Sequence, residues 1–174
     1  MEYIIDADDF HETNNRLDLL FRIKEHIPNF KINLFTVPGL CSDRFLEEMK
    51  KLDWIDMIPH GWTHPNPIEC AKWTYAQSCS YLDRIEPLKL THGFKAPGWQ
   101  ITDGMYGALL EKGYWVADQP YNNKRRPSEL RAYVIDADNK KHYHIQNVCG
   151  NGLEERFNEI MSLSGEFQFI KDII

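Results

Sequence analysis

Two short stretches of the chain carry residue types that bind metal ions and move protons. IPHGWTHPN, residues 58–66, sets His60 and His64 four positions apart in a Gly- and Pro-rich loop that follows an apolar run. YIIDADDFH, residues 3–11, runs an apolar segment straight into Asp6, Asp8 and Asp9. One of the adjacent aspartates together with His60 and His64 makes a three-ligand set of carboxylate and imidazole, which suits zinc and the later first-row divalent ions and leaves a position open for water. Gly61 permits a tight turn between the two imidazoles, and Pro65 stops any helix from forming there. Position 61 is glycine and no glutamate stands in the base position, so a HExxH metalloprotease is excluded at this place.

Asp8 and Asp9 adjoin, so their side chains are expected to point in different directions, one to a metal and the other beside a bound water whose proton it accepts. The competing structural role for the pair is capping the first helix, for which Thr13 or Asn14 serves equally well. Hydrolysis of an amide or ester also needs a proton for the departing group. His144 is the first candidate acid and His142 the second, two apart in HYHIQNV and therefore on one face of a strand. Trp62 and Trp99 offer flat rings for stacking a sugar, whereas Trp115 reads as a core residue.

These groups are far apart in the chain, and their convergence depends on the elements between them. EYIID reads as a strand, 12–27 as a helix with Leu17, Leu20, Phe21, Ile23 and Ile27 at helical spacing, and KINLFTV as the next strand. Ser42 reads as an N-cap for a helix running to about Leu52, with Phe45, Leu46 and Met49 inward. WIDMI is a third strand that ends at the histidine loop. A helix over 69–85, a strand over 93–95, a helix over 103–112 closed by Gly113, and strands at YWVA, LRAYVID and HYHIQNV follow. A last helix over 153–163 precedes a short strand at FQFI. Strand–helix alternation with short connections predicts a parallel α/β fold in which the carboxyl ends of the strands share one rim. Asp8, Asp9, His60, His64, Lys95, Trp99, Asp118 and His144 all fall after strands, so they are expected to meet at that rim.

With 174 residues, of which 43% are hydrophobic, the chain is long enough for one packed domain over 1–174. A formal net charge of -6 argues against a general nucleic-acid binder, and NNKRR at 122–126 is its one basic cluster. No apolar run has membrane-spanning length and no secretory signal is visible, so a cytoplasmic protein without a membrane partner is expected. Cys41, Cys70, Cys79 and Cys149 show no CxxC spacing, which disfavours zinc-finger and thioredoxin readings and fits reduced thiols.

Taken together, the motifs resemble those of the NodB-like polysaccharide deacetylases, carbohydrate esterase family four, over nearly the whole chain. The resemblance implies a compact, distorted (β/α) barrel whose closure is incomplete in so short a chain. It also implies a metal-dependent hydrolase that removes acetyl groups, mostly N-acetyl, from a sugar or polysaccharide. DADDF resembles the family's first motif, which makes Asp8 the catalytic base and Asp9 a metal ligand. HGWTH resembles the motif with two metal histidines, His60 and His64, and one divalent ion, Zn²⁺ first, is the cofactor implied. FKAPGW resembles the groove-lining segment and assigns Lys95, Pro97 and Trp99 to the substrate groove. GYWVADQ resembles the fourth motif and adds Asp118, while His144 falls in the acid position of the closing segment. Phe10 stands in place of a glycine, Gly61 in place of Ser or Thr, and Ile145 where an aspartate follows the acid. Lys95 replaces an arginine, keeping the charge and losing the bidentate fork.

In this mechanism a backbone N–H near Trp62 is expected to help the metal stabilise the oxyanion. Two other classes stand beside the deacetylase: a catalytically impaired carbohydrate-binding or structural protein on the same scaffold, and a phosphohydrolase. No Gly-rich phosphate cradle supports the last.

Overall fold

The computed structural model describes all residues, Met1–Ile174. Eight strands and five α-helices alternate except for three successive strands, β5 to β7: β1 Glu2–Phe10, α1 Leu17–His26, β2 Ile32–Thr36, α2 Asp43–Lys50, β3 Ile55–Pro59, α3 Tyr75–Ile85, β4 Gly93–Lys95, α4 Asp103–Glu111, β5 Trp115–Asp118, β6 Ala132–Val134, β7 Lys140–His144, α5 Leu153–Met161 and β8 Glu166–Phe167. Every strand pairing is parallel. One sheet has the order β3-β2-β1-β7 with β8 on the first residues of β1, and the other has the order β4-β5-β6. The result is a curled, incompletely closed parallel sheet flanked by helices, a distorted (β/α) barrel of the deacetylase type.

Alternation along the strands sorts the core into layers. Ile5 and Ala7 of β1 and Leu34 of β2 face outward and pack with Leu20 and Ile23 of α1 and Leu153 and Ile160 of α5. Phe94 and Val116 face outward on the smaller sheet, against Leu82 and Ile85 of α3 and Met105 and Leu109 of α4. Ile4, Phe35, Ile58, Trp115 and Tyr133 come from both sheets and fill the interior, where Trp115 is core as expected. On the same inward face but further along the strands lie Asp6, Asp8, Lys95, His142 and His144. The interior is therefore apolar toward the strands' starts and charged toward their ends.

Several boundaries differ from expectation for local reasons. The first strand does not stop at Asp6 but continues through both aspartates to Phe10. Its pairing with β7 runs to Asp8↔His144, and its register against β2 slips between Ala7 and Phe10. Helix α1 begins at Leu17, not near 12, and neither Thr13 nor Asn14 caps it. Asn14 Nδ2 instead donates to the Asp9 carbonyl, while Asn15 Oδ1 accepts from Leu17 N. Helix α3 begins at Tyr75, not near 69, because Thr74 and Gln77 form a reciprocal capping box there. The strand that carries the late histidines is Lys140–His144, starting and ending earlier than HYHIQNV. Ser42 caps α2 as the sequence indicates, its hydroxyl accepting from Phe45 N.

Candidate metal centre and active site

The slip in β1 brings neighbouring carboxylates to one mouth. Asp9 adopts a left-handed backbone conformation, φ 68°, which breaks the strict alternation that would send Asp8 and Asp9 to opposite faces. His60 lies immediately after β3, and His60 Nε2 is 3.6 Å from Asp9 Oδ1 and 3.8 Å from Asp8 Oδ2. Four residues on, His64 Nε2 lies 3.3 Å from the same Asp9 oxygen. Candidate ligand atoms of Asp9, His60 and His64 all lie within 4.8 Å of one another.

Donor chemistry in this group fits a divalent ion. His60 Nδ1 is 2.9 Å from the Lys95 carbonyl. A carbonyl only accepts, so Nδ1 carries the proton and Nε2 presents its lone pair to the centre. Asp9 Oδ2 accepts from Gln146 Nε2 at 3.2 Å, leaving Oδ1 toward the two imidazoles.

The loop that carries both imidazoles is tied down by a residue the sequence reading passed over. Gly61 and His64 have positive φ, 64° and 47°, and the consecutive amides between them turn toward one point. Glu69 fills that point: its carboxylate accepts from Trp62 N, Thr63 N and His64 N. Tyr81 Oη also donates to the Gly61 carbonyl at 2.8 Å, anchoring the loop to α3. This corrects the expected oxyanion donor, since Trp62 N is already committed to Glu69. A carboxylate five to eight residues past a glycine turn was the available signal, but only the folded loop shows which amides converge.

A second group, Asp8, His142 and His144, also has its polar atoms within 4.8 Å of one another. It already contains a cation. Lys95 Nζ reaches across from β4 and donates to both oxygens of Asp8 at 2.5 Å, with its side chain 1% exposed. It lies 3.9 Å from the ring centre of Trp99. Burial raises the Asp8 carboxyl, yet the ammonium overrides it and holds Asp8 well below the usual carboxylate range. The Asp9 group is thus the one that can take a further cation.

His144 stands across from Asp8 in the β1–β7 register, with Nε2 3.8 Å from Asp8 Oδ2. Burial lowers its imidazole below the ordinary value; the Asp8 carboxylate opposes this, and the Lys95 ammonium reinforces it. Its Nδ1 is buried without a hydrogen-bond partner. His142 differs: its Nδ1 is 2.5 Å from Oδ1 of Asp6, a fully buried carboxylate for which the sequence reading gave no role.

Asp8, Asp9, His60, His64, Trp99 and His144 line one cleft of about 370 Å³. Lys95 is sealed beneath Asp8, and Pro97 is buried behind the loop. Trp62 lies on a separate cleft of about 410 Å³ with Trp73 and Tyr81, where the Arg84 guanidinium sits 3.5 Å above the Trp62 ring. No cluster of carboxylates and imidazoles lines that cleft, so the chemistry belongs to the smaller one. Asp118 sits in a network of its own, accepting from Tyr106 Oη, Asn122 Nδ2 and Arg126 Nη1. No helix of the structure is long and apolar enough to cross a membrane.

Neither a protein-family model nor a curated protein sequence matches the chain. Its fold is shared by solved structures, two of which follow. The Xyl-CE4 domain of a multidomain xylanase from the hindgut metagenome of Trinervitermes trinervoides superposes with a TM-score of 0.61 at 12% identity, over 98% of this chain and 88% of that one. A family 4 acetyl xylan esterase from Clostridium thermocellum, solved with a cobalt ion, superposes with a TM-score of 0.63 at 10% identity, over 99% and 89%. At these identities the likeness is one of fold.

Proposed function

We propose that residues 1–174 form the catalytic domain of a metal-dependent hydrolase of the polysaccharide deacetylase kind, a short and divergent one. In this reading it removes an acetyl group, N-acetyl in the first place, from a sugar or glycan. One observation carries the proposal: an ionised, lysine-held carboxylate, Asp8, stands beside an Asp9–His60–His64 group able to take a divalent ion, at the mouth of a cleft. The shared fold of two carbohydrate-active proteins supports the substrate class.

Asp9, His60 and His64 would hold the ion, Zn²⁺ by donor type. When bound, such an ion supplies Lewis-acid polarisation of the acyl carbonyl and acidifies water. Asp8 then accepts the proton of the attacking water, and Lys95 keeps it ionised and aimed. His144 donates a proton to the leaving nitrogen as the carbon–nitrogen bond breaks, giving free amine and acetate. Trp99, with Lys95 and Pro97 behind it, forms one wall for the sugar. Trp62 lies outside this cleft and takes part only in a longer glycan's contacts, while the buried Asp118 braces the segment after β5 through Asn122 and Arg126. The four unpaired cysteines support extending the proposal to a cytoplasmic protein.

Acetate release from N-acetylated and O-acetylated sugars and glycans by zinc-loaded protein is the direct test. No release from any of them would overturn the hydrolase. A glycan that binds in the cleft without turnover would favour the alternative, a carbohydrate-binding protein on the same scaffold. The observation on that side is the partnerless Nδ1 of His144.

A further inference from the structure

We infer that Asp6 and His142 are positioning residues that hold the Lys95 ammonium against Asp8, so that a single lysine delivers the two-point grip of a guanidinium fork. This rests on the reading of Asp8 as proton acceptor. Asp6 is fully buried two residues before Asp8 on the same face of β1. Its Oδ1 lies 2.5 Å from His142 Nδ1. A carboxylate accepts, so the imidazole carries its proton on Nδ1 and leaves Nε2 with a bare lone pair.

That lone pair faces Lys95 Nζ at 3.3 Å. The ammonium has three protons to give. Two go to Asp8 Oδ1 and Oδ2, each at 2.5 Å, and the third goes to His142 Nε2. Each proton is placed, and the rings of Trp99 at 3.9 Å and Phe35 at 4.8 Å close the remaining sides. Alone, a lysine is a rotating point charge on a flexible stem, where arginine is a rigid fork. The third bond removes that rotation, and Asp6 fixes the tautomer that can accept it. The opposite tautomer, or an imidazolium, would set an N–H against an ammonium 3.3 Å away and leave Asp8 Oδ2, at 3.7 Å from Nε2, beyond a good hydrogen bond. His142 is thereby committed to Lys95 and separated in role from His144.

Two measurements test this, and the first needs neither metal nor activity. ¹⁵N NMR of the histidine side chains in metal-free protein at neutral pH should show His142 as the Nδ1–H tautomer in wild type and in Asp6→Asn, whose amide oxygen still accepts. Loss of that single tautomer is expected in Asp6→Ala. An Nε2–H or doubly protonated His142 in wild type would overturn the inference. In the second, His142→Ala should lower kcat about tenfold with bound zinc retained, the scale seen when a partner orienting a reactive group is lost. Lys95→Arg on that background brings its own fork into the vacated space and should recover most of the lost kcat. A double variant with wild-type melting temperature but no recovery would overturn the inference. Wild-type protein that releases no acetate would sink the hydrolase reading instead, while the NMR result would still decide the hydrogen-bond arrangement.

Discussion

Lys95 Nζ lies 2.5 Å from each carboxylate oxygen of Asp8; the lysine is shut away from water, and the aspartate meets it only at the cleft. The pair joins β4 of one sheet to β1 of the other, and each partner would be intolerable in that place without its counterion.

Asp8→Asn should therefore have two effects at once. Turnover should fall about 10²–10⁴-fold, as expected when a proton acceptor is lost. Stability should also fall by about 3–5 kcal/mol, because the Lys95 charge is left buried and unpaired. Kinetics and denaturant unfolding on the same zinc-loaded sample check both, with metal content unchanged. Loss of metal in Asp8→Asn but not in Asp9→Asn would reverse the roles of the two aspartates.

The same pair sets an acid limit on stability. The folded carboxyl of Asp8 titrates well below its ordinary 3.8, so its contribution is fully present above about pH 3.8. That contribution drains away as the pH falls toward the folded value. Lys95→Met removes the cause of the depression and leaves burial to push the carboxyl up. In Lys95→Met the acid-side loss due to Asp8 should disappear, and urea midpoints should instead drop as the pH rises through the raised folded value, so the gap between variant and wild type should narrow on acidification. Superimposable profiles would refute this account of Asp8.

Metal binding is expected to depend on Asp9, His60 and His64. His60→Ala or His64→Ala should lose bound zinc by elemental analysis together with most activity. His26→Ala, at the exposed end of α1, should keep both. Metal found by anomalous diffraction at any other place would reject the assignment.

Glu69 gives a subtler test, since it touches no ligand side chain. Glu69→Ala frees the amides of Trp62, Thr63 and His64 and loosens the loop between two metal histidines, whereas Glu69→Gln keeps one accepting oxygen and should lose less. Zinc affinity should drop by about 10–100-fold, the usual cost of losing a group that orients a ligand. Chelator competition measures it, and circular dichroism should show the helices intact.

His144 is tested by the leaving group. An amine departs only when protonated, whereas an activated aryl alkoxide does not need that help. His144→Ala should damage N-acetyl hydrolysis strongly and spare an aryl acetate. Because burial lowers the imidazole, amide hydrolysis in wild type should decline as the pH rises through a value under the ordinary 6.5. Equal losses on both substrates would make His144 a positioning group.

Much of the fold was legible because periodicity and caps are local. The parallel order, Ser42 as a cap, Gly113 beyond α4 and the convergence of strand ends on one rim all follow from spacing. Where the reading failed, distant groups intervened. The strand's continuation through Asp8 and Asp9 depends on pairing with β7, more than 130 positions away. Asn14 looked free to cap a helix but serves the Asp9 carbonyl instead. Asp6 looked like the last residue of a strand, and its use emerges only when β7 lays His142 beside it. Lys95 in place of an arginine loses the bidentate fork, which for an isolated side chain means a looser hold on a carboxylate. Its neighbours change that.

The seam between the two sheets gives the site a mechanical character. Backbone ladders hold each sheet together, but none crosses between β6 and β7. Lys95 spans the mouth from β4 to Asp8 on β1 and His142 on β7, like a rivet through two plates. Any breathing motion that parts the sheets at this end must stretch the rivet before it exposes the interior. The tension would then be felt first by the carboxylate that faces the substrate, so the rigidity of the frame and the aim of its reactive group rise and fall together.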